Sequence, residues 1–109
     1  MFPRKNRVTD KKEFDLIFRK GRTIYSDAFF IKVLKNELDY NRYGFIVSKK
    51  VSNKAVARNK IKRIMREVFK LNQDRIKKSF DIVVYAKPAI KSDNFQEIQG
   101  KIEKIIGKI

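Results

Sequence analysis

The sequence predicts an α+β fold: a single two-layer sandwich of sheet and helices in the order α-β-β-β-α-β-α. Three observations predict it. Apolar residues recur at helical spacing in three separate segments, and runs rich in aromatic and β-branched residues stand between them. Of the 109 residues 42% are hydrophobic, enough for one core but not for two. No internal repeat, low-complexity tract or linker interrupts the chain, so residues 1–109 read as one domain.

The elements follow in order. Asp10 with Glu13 three residues on has the form of a capping box, and Phe14, Ile17 and Phe18 continue at i, i+3, i+4 up to Gly21, a helix-ending residue. A short strand is expected over residues 22–25. The run DAFFIKVL, residues 27–34, is a strand by composition. Polar residues 35–41 form a turn, and RYGFIVSKK, residues 42–50, begins as a further strand with Phe45, Ile46 and Val47. The strongest helix starts at Ser52 or Asn53 and reaches Gln73, with Ile61, Ile64, Met65 and Val68 as its apolar stripe. FDIVVYAK, residues 80–87, is a strand closed by Pro88, which cannot donate to a ladder. Asp93 is expected to cap a last helix whose stripe is Phe95, Ile98, Ile102, Ile105, Ile106 and Ile109.

Charge narrows the function. The chain carries 28 Lys and Arg against 12 Asp and Glu, a net of +16, with a pI of about 10.3. A small domain so unbalanced repels itself unless a polyanion is near, and nucleic acid is the usual one. An anionic membrane is the competing partner, but the sequence holds no separate basic amphipathic anchor. There is no Cys and no His, which removes disulfides, zinc fingers, thiol nucleophiles and the commonest general base. The first twelve residues are charged and lack the apolar centre of a signal peptide, and no apolar run approaches the roughly 18–20 residues of a membrane span. A soluble, cytoplasmic protein is expected.

The positive charge is concentrated. Between Lys49 and Lys78 stand twelve Lys and Arg residues against Glu67 and Asp74, a net of +10 in under a third of the chain. Asn59, Arg63, Arg66 and Lys70 fall at i, i+4, i+7, i+11 across from the apolar stripe, with Arg58 and Lys62 bordering them. Arg forks match phosphate oxygens bidentately, and Asn can both donate to and accept from a base edge or a 2′-hydroxyl. An ordinary solvated helix face would mix signs, since like charges at i, i+4 weaken a helix. The pattern points to nucleic acid without saying which.

The wording says more. SKKVSNKAVA, residues 48–57, followed by RNKIKR, residues 58–63, closely resembles the signature of the bacterial ribonuclease P protein family. NRVTDKKEFDLIFRKG, residues 6–21, resembles that family's first helix, and DIVVYAKPA, residues 81–89, its fourth strand. The resemblance covers roughly residues 6–109. It implies a fold like the second domain of ribosomal protein S5, with a left-handed βαβ crossover where handedness rules alone predict the opposite hand.

It also implies a function divided between two surfaces. The basic helix would meet a catalytic RNA through Lys49, Lys50, Arg58, Asn59, Lys60, Lys62, Arg63 and Arg66. A cleft between the first helix and the sheet would hold the single-stranded 5′ leader of precursor tRNA through Phe14, Phe18, Phe30 and Lys32. On spacing alone an i, i+4 aromatic pair such as Phe14 and Phe18 is the signature of core packing. Lys32 stands where the family often has a cleft tyrosine, on the second-helix side of the sheet, and period two puts it on one strand face with Phe30. The implied holoenzyme, one protein monomer with one RNA, hydrolyses a single phosphodiester of precursor tRNA using a water on Mg²⁺ held mainly by RNA. No catalytic residue and no metal ligand is then expected on the chain, and Asp10, Glu13, Asp15, Asp27 and Asp39 show no metal-ligand spacing. Size, charge and missing His and Cys equally fit a ribosomal-type protein that only stabilises folded RNA. They also fit a small architectural DNA-binding protein, which would favour duplex DNA and a dimer.

Overall fold

Three helices and four strands succeed one another in the expected order: α1 (Lys11–Lys20), β1 (Arg22–Tyr25), β2 (Phe29–Lys35), β3 (Arg42–Val47), α2 (Ala55–Leu71), β4 (Phe80–Ala86) and α3 (Phe95–Ile106). The computed structural model describes residues 3–90 and 94–109, with 3-10 turns at Arg4–Asn6 and Gln73–Arg75. No helix among the described residues is long and apolar enough to cross a membrane.

Local chemistry sets the boundaries. Asp10 caps α1 by accepting the Lys12 amide at 2.8 Å, but the capping box is not closed, because Glu13 turns instead to Arg42. Gly21 ends α1 in extended backbone at φ −72°, with its amide donating to Ile17 O. Its value is close approach, since a Cβ there would lie 2.5 Å from that same oxygen. β2 begins at Phe29, later than residue 27, because the Ser26 hydroxyl accepts the Phe29 amide at 3.0 Å and holds residues 26–28 as the turn from β1. α2 is shorter than expected. Ser52 Oγ accepts the Lys54 amide outside the helix, and Asn72 closes it by donating to Val68 O at 2.8 Å and to Glu103 at 3.0 Å. Asp93 lies outside the described residues; Asn94 caps α3 by accepting the Glu97 amide.

The sheet runs β1-β2-β4-β3, antiparallel throughout except for β3 and β4, which are parallel and joined through α2. Alternation divides its side chains cleanly. Phe29, Ile31, Val33, Ile82, Val84, Tyr43 and Val47 face α2 and α3, and meet Ile61, Ile64, Met65, Val68 and Phe69 together with Ile98, Ile102, Ile105 and Ile106. All these side chains are buried. At about 1.5–3 kcal/mol for each large apolar side chain removed from water, this layer pair is the main source of stability.

The expected two-layer sandwich is thus α2 and α3 on one face, and α1 lies across part of the other. Ile17 packs there with Val8 and Val83, flanked by Phe14 and Leu34. Arg42 ties the helix down. Its guanidinium grips Asp81 bidentately at 2.8 and 2.7 Å and also reaches Glu13, while Asn36 donates to Asp81 at 2.9 Å. These hydrogen bonds, Asp81's first, hold the Arg42 guanidinium still more firmly protonated than usual.

Gly44 decides how closely α1 can lie. A Cβ built on it would come within 2.7 Å of the Phe14 ring. Gly44→Ala should therefore destabilise the protein by about 1–3 kcal/mol through overpacking. In Phe14→Ala/Gly44→Ala the loss should be clearly less than the sum of the single losses, as urea unfolding of the four proteins would show.

Candidate nucleic-acid interface

The period of α2 separates its two roles. Ile61, Ile64, Met65, Val68 and Phe69 are buried, while Asn59, Lys60, Arg63 and Lys70 stand exposed. Arg58, Lys62 and Arg66 are half-buried at the stripe's borders. Arg58 spends one donor on Ser52 O at 3.0 Å, fixing the loop before the helix. Lys49 and Lys50 are exposed in the turn directly after β3 and not on the helix face. Between α2 and α3 runs an open groove of about 580 Å³ lined by Lys60, Arg63, Ile64, Glu67, Asn94 and Phe95.

On the other side of the sheet the structure brings Phe18, Phe30 and Lys32 together, with a residue that sequence reasoning missed. Phe30 stacks on Tyr85 with ring centroids 4.3 Å apart and planes 9° from parallel. Phe18 meets Tyr85 edge-on at 5.8 Å, and the Lys32 ammonium sits over the Phe18 ring at 5.0 Å. Lys32 therefore lies on the α1 side of the sheet and not on the second-helix side. β2 alternates, and the α2 side belongs to Ile31 and Val33. Burial pushes the Tyr85 hydroxyl above its usual pKa, with Asp15 adding to the shift. Phe18 is 51% exposed, unlike its neighbour Ile17 at 1%. Core packing is the role of Ile17; Phe18 offers its ring to solvent.

Phe14 stands apart from this group. Its ring lies on Gly44, half-buried against the Val8–Ile17–Val83 cluster. It also lines a groove of about 130 Å³ at the β3 edge, with Arg7, Thr9, Phe45 and Arg66. Arg66 thus belongs to both sides: it borders the α2 stripe and faces the α1 groove. Tyr85 and Arg7 were not singled out by sequence. Only the register, which pairs Phe30 with Tyr85, reveals the first, and only the bridge from Arg7 to Tyr43 reveals the second. Among the described residues no three acidic side chains gather where they could hold a metal ion.

A basic helix face on one side of the sheet, and on the other an exposed Phe18 ring under a lysine ammonium, mark a small nucleic-acid-binding α+β protein. The comparisons make the class particular. The family model for Ribonuclease P matches residues 2–109. The ribonuclease P protein component of Alkaliphilus metalliredigens is 38% identical over 104 residues, covering 95% of this chain and 93% of that one. The solved ribonuclease P protein of Thermotoga maritima superposes with a TM-score of 0.86 at 34% identity, covering 94% of this chain and 96% of that one. That of Staphylococcus aureus gives 0.84 at 36% identity, covering 92% and 91%. The chain belongs to the ribonuclease P protein family: it is the protein subunit of that endoribonuclease, and its partner is an RNA.

Exposure predicts how the α1 side chains divide. Ile17→Ala should cost about 2–5 kcal/mol of folding stability, whereas Phe18→Ala should cost about 1 kcal/mol, well under the 3–5 kcal/mol of a fully buried phenylalanine. Denaturant midpoints of the two variants would check this.

Proposed function

We propose that the α2 face assembles with the catalytic RNA while the Phe18–Phe30–Tyr85 side receives the single-stranded 5′ leader of precursor tRNA. The observation that carries this reading is Phe18: a large ring, half exposed beside the buried Ile17, with a lysine ammonium over it. A ring stacks on any base, and a lysine takes any phosphate, which suits a subunit that must accept many leaders. On α2, Asn59, Lys60, Lys62, Arg63 and Arg66, with Arg58, Lys49 and Lys50 alongside, supply phosphate and 2′-hydroxyl partners for the RNA subunit. Mg²⁺ would be held mainly by that RNA and would supply the activated water for phosphodiester hydrolysis. The protein joins one RNA as a monomer in the cytoplasm, and its contribution is to bind and orient.

Reconstitution tests the whole reading. With a bacterial ribonuclease P RNA and precursor tRNA at low Mg²⁺, cleavage at the mature 5′ end should occur only when protein and RNA are both present. Cleavage that is indifferent to the protein would overturn it.

Two variants test the surfaces separately. Arg63→Ala/Arg66→Ala should weaken assembly with the RNA and lower the slope of log K against log salt by roughly one unit per lost phosphate contact, with helical circular dichroism unchanged. Phe18→Ala should weaken holoenzyme binding of precursor tRNA by about 1–3 kcal/mol and leave mature tRNA, which has no leader, almost unaffected.

A further inference from the structure

α1 leaves one end of its sheet face uncovered, and a row of side chains crosses all four strands there. Register sets Tyr25 opposite Phe30, Phe30 opposite Tyr85 and Tyr85 opposite Ile46. Phe30 and Tyr85 shield each other's faces by stacking, so the free ring surface lies at the two ends of the aromatic group. Phe18 is one end. Tyr25, on edge strand β1, is the other, 70% exposed and 6.5 Å from Phe30 by ring centroids.

The two ends share one chemistry. As Lys32 stands over Phe18, so the Lys87 ammonium stands over the Tyr25 ring at 5.6 Å. Lys87 also donates to the Ser26 carbonyl, which fixes its head beside the ring and leaves it two further donors. The acid nearest Tyr25 in sequence, Asp27, is paired with Lys101 at 3.1 Å. A solitary exposed tyrosine would mean little. This one is seated against Phe30 and accompanied by an anchored cation, so little side-chain freedom remains to be lost on binding.

We propose that Tyr25 and Lys87 form a further single-stranded RNA subsite at the β1 edge. The Tyr25 ring takes a base and Lys87 the adjoining phosphate. This rests on the reading of the α1 side as the leader site, and extends it: a leader passing Phe18 runs across the strands, over Phe30 and Tyr85, toward β1. Ring and ammonium contact the base face and the backbone, so the subsite adds affinity with leader length and little preference for sequence.

Holoenzyme assembled from this chain and a ribonuclease P RNA tests it, with precursor tRNAs whose leaders grow one nucleotide at a time. Tyr25→Ala should match the wild type on short leaders and bind long ones about 5-fold or more weakly, while Tyr25→Phe keeps wild-type affinity. Lys87→Gln should also lose affinity only on long leaders, with a shallower salt dependence. Binding of the shortest leaders reports whether each variant is folded. If Tyr25→Ala follows the wild type at every length while Phe18→Ala loses affinity, the β1 subsite is wrong and the leader site stands. A uniform loss for Tyr25→Ala at all lengths also overturns the subsite, because the effect would then be structural. If neither Phe18→Ala nor Tyr25→Ala changes any affinity, the leader reading fails and the subsite with it.

Discussion

The aromatic side of the sheet depends on where α1 is held. Glu13, Arg42 and Asp81 form a chain of charge that pins the start of the helix to β3 and β4, and Asp81 is only 5% exposed. A buried carboxylate is tolerable only with its partners in place, so this geometry is effectively fixed. Phe14 then settles onto Gly44, and the tight turn at Gly21 sends the chain directly into β1. Asp81 and Tyr85 lie toward opposite ends of β4. Fastening the helix at the Asp81 end leaves the Tyr85 end of this sheet face less covered, with Tyr85 half-buried and Phe18 exposed.

Exposed rings are affordable because the opposite face carries the stability. Between the sheet and α2 and α3 the layer is apolar and closed, with Met65, Val68, Phe69, Ile82 and Ile102 all at 0% exposure. α1 contributes chiefly Ile17 and half of Phe14, and its remaining apolar side chains, Leu16 and Phe18, stay in contact with solvent. α2 serves both purposes with one period: the stripe that closes the core sets the angle at which Asn59, Arg63 and Lys70 leave the surface. The basic side chains of α2 are thereby held by an element whose own position is decided by packing.

Local pattern made much of this legible. The order of elements, the bounds of β1, the apolar stripes of α2 and α3 and the basic face of α2 all follow from residues close in sequence. What local pattern cannot express is partner choice. Glu13 has the spacing of a capping box, yet a salt bridge to Arg42, far along the chain, claims it. Phe14 and Phe18 are equivalent by spacing, and only the sheet beneath distinguishes them, Gly44 admitting one ring while the other overhangs the edge of the covered region. The side of the sheet on which Lys32 falls is likewise a question of register. Tyr85 was invisible as a site residue because it sits in a run of β4 that reads as continuous core, FDIVVYA.

Lys32 and Tyr85 lie on one face of neighbouring strands and divide the surroundings of Phe18 between them. Lys32 pairs with Val83 across the β2–β4 ladder, and Tyr85 lies two residues further along the same face of β4. A ring at position 85 stands against Phe18 from the neighbouring strand, edge to face, where a ring at position 32 would have approached from β2. With an aromatic neighbour supplied by β4, position 32 can be a cation, and its ammonium lies over the Phe18 ring. A cation over an aromatic face is worth about 0.5–1 kcal/mol at an exposed site and is easily exchanged for a phosphate. The lysine is therefore held over Phe18 by a contact weak enough to be exchanged for another. Cross-strand pairing, which no single segment encodes, is what places both neighbours around Phe18.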